Sequence, residues 1–148
     1  MFTLNGENAC FIAPPGAVLI PAEYLAEVRR GVGIVENRVV GEARCDSIFR
    51  SLPNGRTFSD LVNSGITIHY DPSNLEGDWG WTIPGRFPND VVISRYCIRM
   101  GRWSIAGTLV HEVAHLNGAD GNSHAAENTL QSCRLQSDKG PYNPAIRG

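Results

Sequence analysis

Along this chain the spacing of apolar residues changes between helical and strand periods, and the changes mark out its elements. Residues 1–20 carry Pro14-Pro15-Gly16 between two apolar runs, an extended lead-in with a turn. Leu25, Val28 and Val32 then recur at helical spacing while Glu23, Glu27, Arg29 and Arg30 face water. Pro21 in the favoured first position and Gly31 as a stop bound this predicted packing helix. A second helix is predicted over 41–52, halted by Pro53-Asn54-Gly55. A third starts from Thr57 or Ser59 as cap and ends near Asn63-Ser64-Gly65.

From Gly65 the period becomes two. Ile66-Thr67-Ile68-His69-Tyr70 alternates and is rich in β-branched residues, which predicts a strand closed by Asp71-Pro72. Residues 73–90, rich in Gly, Pro, Asn and Trp, form a long loop or an irregular hairpin. Its Trp79 and Trp81 either line a substrate groove or pin the loop to the body. Asp90 to Ile98 is predicted as a second strand. The helix after it has Ser104 as N-cap and Gly118 as a left-handed stop. That helix is apolar over most of its circumference, which implies burial, and Ser104, Thr108, His111 and His115 share its one polar stripe. A last helix begins at Asn122 or Ser123. Ala126, Leu130 and Cys133 form its buried stripe, and His124 and Glu127 share a neighbouring face. The tail from Ser137 is predicted to be irregular.

At 148 residues the chain is one domain, 1–148, and its 42% hydrophobic and 19% charged content are ordinary for a globular protein. A net charge of -2 argues against a nucleic-acid partner. No apolar run is long enough to span a membrane, so no membrane partner is expected. The N-terminus lacks a basic segment followed by an apolar one, which leaves a cytoplasmic protein, a mature fragment, or one exported without a cleaved signal. Cys10, Cys45, Cys97 and Cys133 form no C-x-x-C, so neither a zinc knuckle nor a redox pair is indicated. They are either buried thiols or two disulfides in one of three connectivities. Because Cys97 leads into the buried helix and Cys133 lies on the stripe of the next one, the expected pairs are Cys97–Cys133 and Cys10–Cys45.

The chemistry centres on Thr108 to Gly118, which contains His111-Glu112-Val113-Ala114-His115. Residues four apart on a helix emerge from one face, so both imidazoles can reach one small cation at ~2.0–2.1 Å. Glu112 then lies beside the metal rather than on it, placed to take a proton from a metal-bound water. The competing reading is a buried helix with two hydrogen-bonded core histidines. Three of the four histidines in the chain, His111, His115 and His124, fall within fourteen residues, which favours the metal.

His111-Glu-Val-Ala-His115 resembles the zincin signature of zinc metallopeptidases, and the resemblance covers roughly residues 91–133. It is similar to the metzincins as far as Gly118 but departs from them afterwards, since their third histidine would fall on Gly121. The resemblance implies an α+β, zincin-like domain, with a small sheet packed against a central HExxH helix and a following helix. It also implies one zinc ion and hydrolysis of a peptide bond, with Glu112 as general base. A catalytic zinc needs a third protein ligand. His124 is the first choice; Glu127 is the second, as thermolysin-like relatives use a glutamate from a following helix, and Asp120 is the third. Tyr96 or Tyr142 would donate to the reaction oxyanion, and the strand at 91–98 would be the edge to which an extended peptide substrate adds. Such a protease would be restrained by export, narrow specificity or a partner inhibitor or immunity protein, the setting of a small toxin-like effector. The alternatives are a zinc hydrolase of a non-protein substrate and a binding module with a structural zinc.

Overall fold

The computed structural model describes residues 1–7 and 11–135. Cys10, Tyr142 and the tail expected from Ser137 lie outside the described residues. The described residues form a small α+β domain, a four-stranded open mixed sheet with six helices. The strands are β1 (Phe2–Leu4), β2 (Ile66–Asp71), β3 (Gly80–Trp81) and β4 (Asp90–Ser94), in the order β1-β2-β4-β3. β1 and β4 run parallel to β2, and β3 runs antiparallel to β4. The helices are α1 (Ala22–Arg38), α2 (Ala43–Arg50), α3 (Phe58–Asn63), α4 (Arg95–Arg99), α5 (Arg102–Leu116) and α6 (Ala125–Ser132). No helix among the described residues is long and apolar enough to cross a membrane.

α5 is the buried axis of the fold. From Ser104 to Leu116 every residue is buried except His111 and His115. It packs along α1, α6 and the sheet, so its apolar circumference meets protein on several sides. α1 runs past the predicted stop at Gly31. Its buried stripe Val28, Gly31, Val32, Val35 continues, and Gly31 lies against α5. A Cβ at Gly31 would lie 2.5 Å from Ile105 Cγ2 and 3.1 Å from the Arg102 carbonyl, so the glycine serves helix contact and not helix termination.

Two other boundaries differ from expectation. The predicted strand over 90–98 ends at Ser94, whose Oγ accepts from the Cys97 amide at 3.1 Å and opens α4. α5 begins after Gly101, at φ 104, and not at Ser104, which is buried inside the helix with its hydroxyl 3.7 Å from Cys97 Sγ. The disulfides also differ. Cys45 of α2 is bonded to Cys133 just after α6, with Cα atoms 4.4 Å apart, which replaces both expected pairs. Cys97 is a buried free thiol on the other side of α5, its Sγ 3.3 Å from Thr108 Oγ1. Burial pushes that thiol up to about 11, so it behaves as a small core residue and not as a nucleophile.

Candidate metal centre

The two histidines reach solvent from one face of α5, with ring centroids 4.9 Å apart and nearly perpendicular planes. Donor atoms of His111, Glu112 and His115 all lie within 4.8 Å of one another. Tetrahedral zinc holds its donors roughly 3.3–3.5 Å apart, so the imidazole pair needs only small side-chain adjustments to share an ion.

The second histidine is set up by the chain that follows it. His115 Nδ1 lies 2.7 Å from the Ala119 carbonyl oxygen, which can only accept, so Nδ1 carries the proton. The neutral ring therefore presents the Nε2 lone pair outward, the arrangement by which a backbone carbonyl orients a metal-binding histidine. Gly118, at φ 95, permits the left-handed turn that swings Ala119 back over His115.

The first histidine lies between two carboxylates. His111 Nδ1 is 3.2 Å from Glu112 Oε1, and Nε2 is 3.0 Å from Glu127 Oε1 on α6. Burial disfavours its charge, but hydrogen bonds to Glu112 and Glu127 outweigh this and push His111 up to about 8. Burial likewise works against the Glu127 charge, but the bond from His111 holds that carboxyl below the usual range. Glu112 itself is buried, its oxygen facing the histidine from within the helix wall.

The other sequence candidates separate clearly. His124, the first choice for third ligand, is exposed just before α6 and is not one of the three converging residues. Asp120 Oδ1 accepts from the amides of Asn122 and Ser123, both at 2.8 Å, and these amides hold its carboxyl low. That turn occupies the residues where the last helix was expected to start, so α6 begins only at Ala125. None of the three alternatives belongs to the converging group, but Glu127 alone has a hydrogen bond to the histidine pair among the described residues. The remaining histidine, His69, is fully buried in the sheet. Its Nε2 is 2.6 Å from Asp90 Oδ1 and its Nδ1 accepts from Asn5 at 3.0 Å, so it ties three strands together.

Two clefts meet at the cluster. One, of about 360 Å³, is bordered by Trp79, Gly80, Gly107, Thr108, Glu127 and Leu130, and reaches His111 and Glu112. The other, of about 440 Å³, is bordered by Trp81, Thr82, Pro84, Ala119 and Gly121, and reaches the same two residues and His115. Gly80 of β3 lies between them, so close to α5 that a Cβ would sit 2.8 Å from Thr108 Cγ2 and 3.6 Å from Glu112 Cγ. β3, not the stretch 91–98, is the sheet edge here, because β4 is flanked by β2 and β3. The Ser94 amide donates to the Trp79 carbonyl at 3.0 Å. Alternation along β3 therefore turns the amide and carbonyl of Gly80 away from β4, toward the open side.

Both tryptophans pin the loop and border a cleft. Trp79 stacks on Tyr96 with centroids 4.6 Å apart, and Trp81 Nε1 donates to Asp71 at 2.9 Å. Tyr96 supports Trp79 and borders neither cleft, which leaves it without contact to the cluster. Sequence reasoning missed the Ala119 carbonyl and the Gly80 edge. Gly118 signals the first, whereas a two-residue strand inside a Gly- and Trp-rich loop carries no periodicity that would reveal the second. No protein-family model, curated protein or solved structure matches the chain.

Proposed function

We propose that this chain is a zincin-like zinc peptidase. The observation that carries the reading is the convergence of His111, Glu112 and His115 within 4.8 Å, at the meeting point of two clefts beside an open strand edge. A pair of core histidines would have no need of the surrounding room. The proposed zinc ligands are His111 Nε2 and His115 Nε2, with Glu127 as the third in place of His124, on the strength of its contact with His111. When bound, zinc would polarise the scissile carbonyl and acidify a water molecule. Glu112, buried beside the histidines and outside the ligand set, takes the proton of the attacking water and delivers it to the leaving amine. An extended peptide pairs with the outward amide and carbonyl of Gly80, which lays its backbone across Glu112 and its side chains into the two clefts.

The test is twofold. Purified protein resupplied with zinc and dialysed should hold about one equivalent, and should lose it in His111→Ala and His115→Ala. The zinc-loaded protein should cleave an unfolded protein substrate, and a chelator should stop it. Well under one equivalent of zinc would end the reading. Stoichiometric zinc without proteolysis would favour a non-protein substrate or a structural ion.

A further inference from the structure

Glu127 is the one proposed ligand that does not come from α5, so the site is only as well made as the placement of α6. α6 has eight residues, too few to be stable alone; the His124 side chain does not cap it, and Ser123 Oγ accepts from the Ala125 amide at 3.3 Å. Ala126 and Leu130 rest on α5, while Thr129 turns its hydroxyl back to the Ala126 carbonyl. At its C-terminal end α6 faces α2 across an open depression of about 430 Å³, bordered by Arg44, Ile48 and Ser51 on one side and Ser132 on the other. Beside it α2 and α6 pack on one another, joined by the Cys45–Cys133 bond and by an exposed pair of Arg134 with Glu42 at 3.6 Å. Arg134 is also the one non-glycine residue at positive φ, 62°, among the described residues. It is the left-handed residue of the C-terminal cap of α6, with the Leu135 amide donating to the Leu130 carbonyl at 2.9 Å.

We infer that the Cys45–Cys133 disulfide is a redox-sensitive latch on the metal site: it fixes α6, and thereby holds Glu127 against His111. The inference rests on the zinc reading above. In the unlatching step a dithiol reductant breaks the Cys45–Cys133 S–S bond. The reductant is oxidised to its own disulfide, and its two protons and two electrons leave a thiol on each cysteine. Both cysteines are fully buried and neither borders the depression, so reduction requires the contact between α2 and the end of α6 to open. Cys97 is a free thiol and takes no part. The chain then holds zinc well in an oxidising compartment and poorly in a reducing one.

The experiment compares oxidised protein, protein reduced with a phosphine, and the Cys45→Ser/Cys133→Ser variant. Zinc affinity is read by chelator competition, and hydrogen exchange is read by mass spectrometry on the metal-free forms. Reduction should weaken zinc binding about 10-fold or more, the scale of losing ligand support. It should also speed exchange in residues 125–132 while α5 and the sheet stay protected. Glu127→Gln should weaken binding in the oxidised protein and add little in the reduced one. Zinc affinity indifferent to redox state would overturn the latch alone. Exchange rising equally in α5 and the sheet would also overturn it, by making the bond a general staple; this readout on reduced parent protein decides the matter even if the double variant does not fold. Oxidised protein that binds no zinc at all would instead remove the peptidase reading, and the latch with it.

Discussion

At His111 the proposed metal would compete with a proton. Its imidazole is raised to about 8 by the two carboxylates that flank it, so the metal-free site holds a proton there at neutral pH. A metal takes the neutral ring, so binding must release that proton. Zinc affinity should therefore climb roughly tenfold per pH unit up to about pH 8 on account of this group, then flatten. Competition titrations at several pH values, at fixed ionic strength, check this; affinity flat between pH 6.5 and 8 would show that zinc displaces no proton from His111 in that range. The neighbouring helix supplies a second comparison. Glu127→Ala should weaken zinc binding strongly and His124→Ala by less than about twofold, because Glu127, of the two, bonds His111. The reverse order would return the third position to His124. Sequence spacing alone ranked these two the other way, for a simple reason: a histidine is the commoner zinc ligand, and which of two residues three apart faces α5 depends on where the helix starts. Asp120 moved that start by holding the Asn122 and Ser123 amides in a turn.

At the scale of elements, much of the fold was legible. The alternation at 66–70, the Thr57 cap and the Gly118 stop all appear where the pattern placed them. What was not legible depended on neighbours distant in sequence. Gly31 has the composition of a helix stop, but its meaning is set by Ile105, more than seventy residues away. Apolar residues resume at Tyr96 after the short break at Ser94 and Arg95, so periodicity alone could not divide strand from helix. The two glycines of α1 make a direct test. Gly31→Ala gains helix propensity of about 1 kcal/mol but drives a methyl into Ile105 and the Arg102 carbonyl. It should destabilise by a net ~1–3 kcal/mol, the usual overpacking cost. Gly33→Ala, with nothing within 4 Å of the new methyl, should stabilise by up to about 1 kcal/mol. Denaturant unfolding of both variants checks the pair, and equal effects of one sign would contradict the close approach of α1 to α5.

For the molecule as a whole, the arrangement separates rigid from adjustable parts. α5 is held on several sides by α1, the sheet and α6, so the spacing of His111, Glu112 and His115 is fixed by the core. Glu127 arrives from a short helix with its own covalent tether, and the clefts are closed by a loop pinned through Trp79 and Trp81. The central claim is that Glu112 acts as base next to a zinc it does not bind. Glu112→Gln preserves size and an acceptor oxygen for His111 Nδ1 while removing the basicity and the negative charge. The decisive measurement is cleavage rate and bound zinc on one preparation of this variant, beside the parent. Zinc content should be unchanged and turnover of an unfolded protein substrate lower by ~10²–10⁴-fold, the contribution of a positioned base. A Glu112→Gln protein that keeps its zinc and cleaves as fast as the parent would contradict it.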